Sequence, residues 1–234
     1  KILGKTDEAA KYDKLFHDIT ETFNEFFVST NGVIQGDTQT GYILALQFCL
    51  LPENLRATAA QRLADNVAQH GHVTGGFVGN GLICPTLTQI NRPDLAWDLV
   101  LTNTYPSWLF SVKNGATTIW ERWDGWTPEH GFQDSSMNSF NHYSLGSVGV
   151  WLYSGAAGIR PDGASPGYKH FFLAPQFTTR LTHLAATFDS PYGVIASAWR
   201  VEKDQVLYDV TVPPNSSATL EFPFPLDEIR SEER

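Results

Sequence analysis

The segment Arg160-Pro161-Asp162-Gly163-Ala164-Ser165-Pro166-Gly167 divides this 234-residue sequence into two parts with different hydrophobic periodicity. Two prolines and two glycines within eight residues are typical of a loop. Before this segment, apolar residues recur at steps of three and four, which indicates helices. From Tyr168 onward they alternate with polar residues, which indicates β-strands. We therefore predict a helical domain over residues 1–162 and a β domain over residues 163–234.

The helical part is expected to contain a series of short and medium helices. The predicted ranges are 6–28, 38–51, 53–70, 82–90, 93–102, 106–113 and 137–159. The helix over 53–70 is expected to face solvent on one side, and the one over 137–159 to be buried. The glycine-dense segment 71–81 is predicted to be non-helical, and a plain connector is favoured over a loop that approaches a ligand.

The β part is expected to be a sandwich of short antiparallel strands. Runs rich in β-branched and aromatic residues, separated by turn residues, predict strands over 170–173, 182–188, 194–201, 206–212 and 218–222. Several short strands at regular spacing are typical of a β-sandwich.

Composition argues for a folded chain with a neutral ligand. With 42% hydrophobic residues the chain can bury a sizeable core. A net charge of -9 without a basic cluster argues against nucleic acid or an anionic membrane surface as partner. The longest apolar runs, such as 43–51, are too short to cross a bilayer. Cys49 and Cys84 are expected to be buried free thiols, and we predict neither a metal site nor a cofactor. The sequence does not indicate the cellular compartment of the protein.

Chemistry is expected in the segment Thr117-Thr118-Ile119-Trp120-Glu121-Arg122-Trp123-Asp124-Gly125-Trp126. It combines three tryptophans, two acids and an arginine. Indole faces can cover the apolar face of a pyranose, and a partly desolvated carboxylate can bind a hydroxyl or activate a water. The alternative is a buried aromatic cluster in which Arg122 pairs with Glu121 or with Asp124. Spacing alone favours neither interpretation.

Longer stretches of the sequence resemble a known enzyme family. Residues 114–124, followed by Asn138-Ser139-Phe140-Asn141-His142-Tyr143, are similar to the α-L-rhamnosidases of glycoside hydrolase family 78. The likeness extends through residues 39–42, 101–114, 166–169 and 190–193, and so covers most of the chain. The resemblance implies part of an (α/α)6-barrel catalytic domain followed by a β-sandwich. It also implies inverting hydrolysis of terminal α-L-rhamnose, with a rhamnose-containing glycoside as the ligand and no cofactor.

The resemblance also implies roles for individual residues. Glu121 matches the glutamate taken as the general base, which activates the attacking water. His142 matches a histidine that binds the sugar in the same pocket. Without the resemblance, His142 would more often be a core histidine. Trp120, Trp123 and Asn141 are expected to be further substrate-binding residues.

The sequence departs from the family pattern at the general acid. The family has an acidic segment of the form Glu-Arg-Leu-Gly-Trp-Thr-Gly-Asp far upstream, and no such segment precedes Glu121. Six or seven helices are also about half of those in an (α/α)6 barrel. The chain therefore resembles the C-terminal portion of a rhamnosidase, and the missing N-terminal part is a further candidate partner. Asp37 and Asp134 lack the expected aromatic setting for an acid. A non-catalytic rhamnoside-binding module, or a half-barrel that completes another chain, remains the alternative.

Overall fold

The computed structural model describes residues 2–203, 205–223, 225 and 229–230, which form two compact units. The first unit comprises Lys1–Gly146 and the second Ser147–Arg234. The predicted division into a helical part and a β part is confirmed. The predicted domain boundary between residues 162 and 163 stays a prediction.

The described residues of the first unit, 2–146, form seven helices. They are α1 (Thr6–Phe27), α2 (Gln39–Gln47), α3 (Glu53–His70), α4 (Phe77–Gln89), α5 (Pro93–Leu101), α6 (Trp108–Lys113) and α7 (Tyr143–Gly146). A two-residue hairpin of β1 (Trp126–Thr127) and β2 (Gly131–Phe132) and a 3-10 turn over Ser135–Met137 lie between α6 and α7.

Helix α2 forms the centre of this unit, because it packs against both α3 and α4. Its Tyr42 and Ile43 are completely buried, as is Leu63 of α3. The stripe of α3 that contains Leu63 faces the core and its remaining side chains face solvent, as predicted. By contrast, α1 buries none of its residues. Among the described residues, no helix combines the length and apolar character needed to cross a membrane.

Close approach of α2 and α4 explains why the glycine-dense segment is partly helical. The prediction that residues 71–81 are non-helical is wrong from Phe77 onward, where α4 begins. A Cβ on Gly79 would lie 2.7 Å from Oγ1 of Thr40, so only glycine allows the two helices this contact. Packing therefore overrides the low helix propensity of glycine.

Two further predictions for this part of the chain are wrong. Cys49, which lies just beyond the end of α2 at a φ of 53°, is exposed rather than buried; Cys84 is buried as expected. The single buried helix over 137–159 is instead divided among α7, α8 (Val148–Trp151), a π-helical turn (Leu152–Ala156) and the beginning of a strand. A Cβ on Gly155 would lie 2.3 Å from the indole nitrogen of Trp151, so this turn follows from the packing of one large side chain.

In the part of the second unit that the structure describes, the strands form two three-stranded sheets. One has the order β3–β4–β8 and the other β5–β6–β7. The strands are β3 (Ile159–Pro161), β4 (His170–Leu173), β5 (His183–Ser190), β6 (Gly193–Glu202), β7 (Gln205–Thr211) and β8 (Ser217–Leu220). The five predicted strands are present and β3 is additional. All pairings are antiparallel as expected except β4 with β8, which is parallel.

Side chains from both sheets share one core. Ile159 of β3, Phe171 of β4 and Ile195 of β6 are buried together. Gly158 precedes this layer at a φ of 77°, and a Cβ there would lie 2.2 Å from the backbone nitrogen of Pro175. Glycine is therefore required at this position for both conformation and space.

A polar network joins the strands of the first sheet. Nδ1 of His170 on β4 lies 2.7 Å from the carboxylate of Asp162, and its Nε2 lies 3.0 Å from Oγ1 of Thr219 on β8. The Asp162 carboxylate also accepts a hydrogen bond from the backbone N–H of Ala164. The backbone N–H first, and His170 second, hold the pKa of Asp162 below its usual value.

Candidate active site

Two backbone segments in the helical unit bring the main predicted site residues together. The N–H of His142 donates to the carbonyl of Ile119 at 2.9 Å, and the N–H of Glu121 donates to the carbonyl of Ser139 at 2.8 Å. The Thr118 hydroxyl donates a third hydrogen bond between the two segments, to the backbone carbonyl of Phe140. Glu121 and His142 are 21 positions apart in sequence, yet these bonds place them in adjacent, paired stretches of backbone.

The Glu121 carboxylate is oriented by this pairing. Its Oε2 accepts a hydrogen bond from the backbone N–H of Ser139 at 2.8 Å, and the side chain is half-buried. Of the two ion pairs considered from the sequence, the one between Arg122 and Asp124 forms. Nε and Nη2 of Arg122 donate to the two Asp124 oxygens at 2.9 and 3.0 Å, a bidentate arrangement. The hydrogen bond to Asp124 raises the pKa of Arg122. Of the two acids in the segment, Glu121 is therefore the one that Arg122 does not engage.

The His142 imidazole is fixed in one tautomer. The backbone N–H of Ser144 donates to its Nδ1 at 3.2 Å, at the beginning of α7. An atom that accepts from an N–H must carry a free lone pair, so the proton of the neutral ring is on Nε2. His142 can thus donate a hydrogen bond from Nε2 to a ligand hydroxyl. The same contact provides an acceptor for a backbone N–H at the helix start, as an N-cap side chain does.

Two aromatic rings stack on the imidazole of His142. The ring of Phe77 stacks on His142 at a centroid distance of 5.0 Å and an interplanar angle of 28°. The ring of Tyr143 stacks on it at 5.2 Å and 13°. The sequence predicts neither contact, because it favours a plain connector for the segment that contains Phe77 and a buried helix for the segment that contains Tyr143. A feature that could have indicated Tyr143 is its position next to the candidate histidine.

The predicted tryptophans have a different environment. Trp120 is buried and packs edge-on against Phe140, and Trp123 packs edge-on against Trp108. Both line a cavity of about 20 Å³, which has room for about one water molecule and none for a pyranose. This environment favours a supporting role for the two indoles in the loop that carries Glu121. Their predicted role in substrate binding stays a prediction.

The remaining predicted residue, Asn141, lies between the two halves of the site. Its side chain is exposed, and its backbone N–H donates to Oγ of Ser139 at 3.3 Å. It is therefore close to the residues that orient Glu121, and its predicted contact with substrate is untested. Nearby Asn138 donates to the carbonyl of Gly125 at 2.9 Å, which holds the turn at the end of the tryptophan-rich segment.

A larger cleft lies elsewhere in the helical unit. It encloses about 230 Å³ between the C-terminal ends of α2 and α4 and one side of α3. Leu46, Cys49, Arg56 and Ile90 contribute to its walls, and none of the predicted site residues does. Arg56 is already bound to Glu53 and to a backbone carbonyl. Over the described part of the chain, no group of three or more His, Cys, Asp or Glu residues is arranged to hold a metal ion.

Two protein-family models match this chain. Residues 1–156 match the bacterial alpha-L-rhamnosidase 6 hairpin glycosidase domain, and residues 158–234 match the bacterial alpha-L-rhamnosidase C-terminal domain. These matches confirm the predicted fold, a helical part of a six-hairpin glycosidase domain followed by a β domain.

Individual relatives agree with this result. The chain is 39% identical to an alpha-L-rhamnosidase of Formosa agariphila over 226 residues, which are 95% of this chain and 24% of that protein. It is 40% identical over 222 residues to an alpha-L-rhamnosidase of Streptomyces avermitilis, 94% of this chain and 21% of that protein. The chain thus spans about a quarter or less of these relatives.

Solved structures show the same similarity. The crystal structure of the Streptomyces avermitilis alpha-L-rhamnosidase complexed with L-rhamnose superposes with a TM-score of 0.85 at 39% identity, over 91% of this chain and 20% of that one. The native enzyme from Aspergillus terreus superposes with a TM-score of 0.88 at 33% identity, over 94% of this chain and 26% of that one.

Proposed function

Because this chain belongs to the bacterial α-L-rhamnosidase family, we propose that it supplies the general base and a sugar-binding histidine for the hydrolysis of terminal α-L-rhamnose. The reaction proceeds with inversion at the anomeric carbon, and its general acid is supplied by a residue outside residues 1–234. The enzyme is therefore the polypeptide in which these residues act together with that acid.

The arrangement of Glu121 carries this proposal. A general base must be ionised, oriented and able to reach a water. Glu121 is half-exposed, its Oε2 is held by the backbone N–H of Ser139, and Arg122 is engaged by Asp124. Glu121 takes a proton from the water as the water attacks the anomeric carbon. His142 donates from Nε2 to a rhamnose hydroxyl and so positions the sugar for that attack.

The acidic residues considered as alternative proton donors are engaged in other contacts. Asp134 accepts a hydrogen bond from the backbone N–H of Ser136 at 2.8 Å, and this bond first of all lowers the pKa of Asp134. A lowered pKa favours the ionised carboxylate, which is the wrong protonation state for a general acid. Asp37 accepts a hydrogen bond from the buried phenol of Tyr42. Both observations support an acid outside this chain, at the separation of about 6.5–9.5 Å that inversion requires.

The test compares two substrates on the purified 234-residue chain. General acid assistance contributes about 10²- to 10⁴-fold, so the chain alone should hydrolyse phenyl α-L-rhamnoside very slowly. A 2,4-dinitrophenyl rhamnoside needs little protonation of its leaving group, and residual activity should appear there first. Robust and equal rates on both substrates would mean that residues 1–234 contain their own acid.

The stereochemical course tests inversion separately. When the longer polypeptide hydrolyses phenyl α-L-rhamnoside, proton NMR should show β-L-rhamnose before mutarotation produces the α-anomer. The α-anomer as first product would contradict inversion and with it the general-base role. Rhamnose binding without hydrolysis of either substrate by the longer polypeptide would instead favour the alternative, a rhamnoside-binding module.

A further inference from the structure

The short helix that follows the candidate histidine is held by two buried side chains from other helices. Helix α7 contains only the four residues Tyr143–Gly146, and a helix this short depends on tertiary contacts for its stability. Nδ2 of Asn80 on α4 donates to the carbonyl of Ser144 at 3.3 Å, and Nε1 of Trp108 on α6 donates to the carbonyl of Leu145 at 2.8 Å. Asn80 is 1% exposed and Trp108 is 8% exposed. Both contacts therefore lie in the interior of the helical unit.

The backbone of Ser144 connects Asn80 to the imidazole of His142. Its carbonyl accepts the hydrogen bond from Asn80, and its N–H donates to Nδ1 of His142 at 3.2 Å. At this distance the bond to the imidazole is at the long end of the usual range, so a displacement of about 0.5 Å would break it. The orientation of the His142 ring therefore depends on where α7 is held.

The indole of Trp108 also contacts the segment that carries Glu121. It packs edge-on against the ring of Trp123, with the ring centroids 5.3 Å apart and an interplanar angle of 87°. Trp123 lies two residues after Glu121 in the sequence. An indole combines one N–H donor with a large apolar ring, so one side chain can bond to α7 and pack against the Glu121 segment. Trp108 thus links the two segments of the candidate site from within the core.

We propose that Asn80 and Trp108 are positioning residues, which hold α7 so that Nε2 of His142 faces a rhamnose hydroxyl. This inference rests on the proposed function, because that function assigns His142 to the sugar. Both side chains act without touching the sugar, and their contribution to affinity passes through the imidazole. A binding group that is already held in place loses less conformational freedom when the ligand binds. Removal of either contact should therefore weaken rhamnose binding only while His142 is present.

The experiment measures the Kd of L-rhamnose by calorimetry on variants of the longer polypeptide. Trp108→Phe keeps an aromatic ring and removes the N–H that binds the carbonyl of Leu145. Asn80→Leu keeps a side chain of similar size and removes the amide that binds the carbonyl of Ser144, so it tests the proposal independently if Trp108→Phe does not fold. Each variant should raise the Kd by about 2- to 13-fold, which corresponds to the loss of one hydrogen bond from His142.

A second background separates a positioning role from a purely structural one. When Trp108→Phe or Asn80→Leu is combined with His142→Ala, the Kd should stay within about twofold of that of His142→Ala alone, because the residue through which both act is gone. Trp97→Phe replaces another buried indole of the helical unit, is the matched control, and should leave the Kd unchanged. The same fold-change in both backgrounds, a lower urea midpoint without a change in Kd, or an equal rise in Kd for Trp97→Phe would each refute the positioning role.

The two proposals fail in distinguishable ways. If His142→Ala weakens rhamnose binding while Trp108→Phe and Asn80→Leu bind rhamnose normally, the positioning role is overturned and the proposed function is left intact. If His142→Ala itself binds L-rhamnose with an unchanged Kd, the sugar-binding role of His142 in the proposed function is overturned, and the positioning role with it.

Discussion

Replacing His142 by asparagine and by glutamine should separate two roles that one imidazole combines. Its Nδ1 accepts the N–H of Ser144 at the start of α7, and its Nε2 is the predicted donor to a rhamnose hydroxyl. The amide oxygen of asparagine can replace Nδ1 as the acceptor, because it lies at the same distance along the side chain. The longer glutamine side chain can replace the Nε2 donor instead.

The expected magnitudes follow from these two contacts. Loss of a side-chain acceptor at a helix start costs about 0.5–2 kcal/mol of stability. Loss of one hydrogen bond to a neutral hydroxyl costs about 0.5–1.5 kcal/mol, or about 2- to 13-fold in Kd. His142→Asn should therefore keep stability and lose rhamnose affinity. His142→Gln should lose stability and keep part of the affinity, and His142→Ala should lose both.

Urea denaturation and calorimetry with L-rhamnose measure the two effects on the same protein samples. The observation that refutes this reasoning is the reverse pattern, in which His142→Asn binds rhamnose normally and His142→Gln does not. Nδ1 would then be the ligand-facing atom. Unchanged rhamnose affinity in all three variants would return His142 to a structural role.

Three further predictions concern the stability and reactivity of the chain. Gly158→Ala should lower the free energy of unfolding of the β unit by at least about 1–2 kcal/mol, the cost of a left-handed backbone for a non-glycine residue, and the backbone clash should add a further loss. Gly163→Ala is the matched control, because Gly163 has open space around it. Equal urea midpoints for the two variants would contradict the steric argument. Asp162 has a lowered folded-state pKa, so its stabilising effect is present above its unfolded pKa and is lost as the pH falls through the folded value. In Asp162→Asn, the melting temperature should therefore fall less steeply with decreasing pH between about pH 5 and 2. An unchanged pH dependence of the melting temperature would contradict this prediction. Cys49 is exposed, whereas burial raises the pKa of Cys84 to about 12. A thiol reagent should therefore label one cysteine per native chain, and Cys49→Ser should abolish the labelling. Two labelled cysteines in the native chain would be inconsistent with a buried Cys84.

Local sequence patterns predicted elements whose boundaries are set locally. Helix α3 has the predicted range because Pro52 precedes it and Gly71, at a φ of 68°, ends it with its N–H bound to Val67. The strands after residue 168 were found in the same way, since their alternation is visible in each run. The additional strand β3 and the parallel pairing of β4 with β8 were not predicted. Pairing between distant strands leaves no local signal in the sequence.

Elements shaped by tertiary contacts were not predictable from periodicity. Helix α4 begins inside a glycine-dense segment because Gly79 lets it approach Thr40, a residue 39 positions earlier. The helix expected over 137–159 is interrupted where the Trp151 indole occupies the space beside Gly155. A helical hydrophobic pattern shows which residues are apolar. It does not show where another side chain packs so closely against the backbone that only glycine fits.

The candidate site was predictable in part. The resemblance led to Glu121 and His142, and the structure brings their backbone segments together through bonds that no spacing rule contains. The pairing of Arg122 with Asp124, rather than with Glu121, also required coordinates. Aromatic density alone pointed to Trp120, which is buried, and missed the exposed ring of Tyr143.

The measurement that tests the central claim most directly is turnover by Glu121→Gln in the active longer polypeptide. The amide keeps an oxygen that can accept the N–H of Ser139, so the loop should retain its structure, but it cannot take a proton from water. Glu129→Gln, an exposed glutamate in the β1–β2 hairpin, is the matched control. The account predicts that Glu121→Gln lowers kcat by about 10²- to 10⁴-fold and leaves the Kd of L-rhamnose nearly unchanged, with no effect of Glu129→Gln. Near-normal turnover by Glu121→Gln would contradict the assignment of Glu121 as the general base.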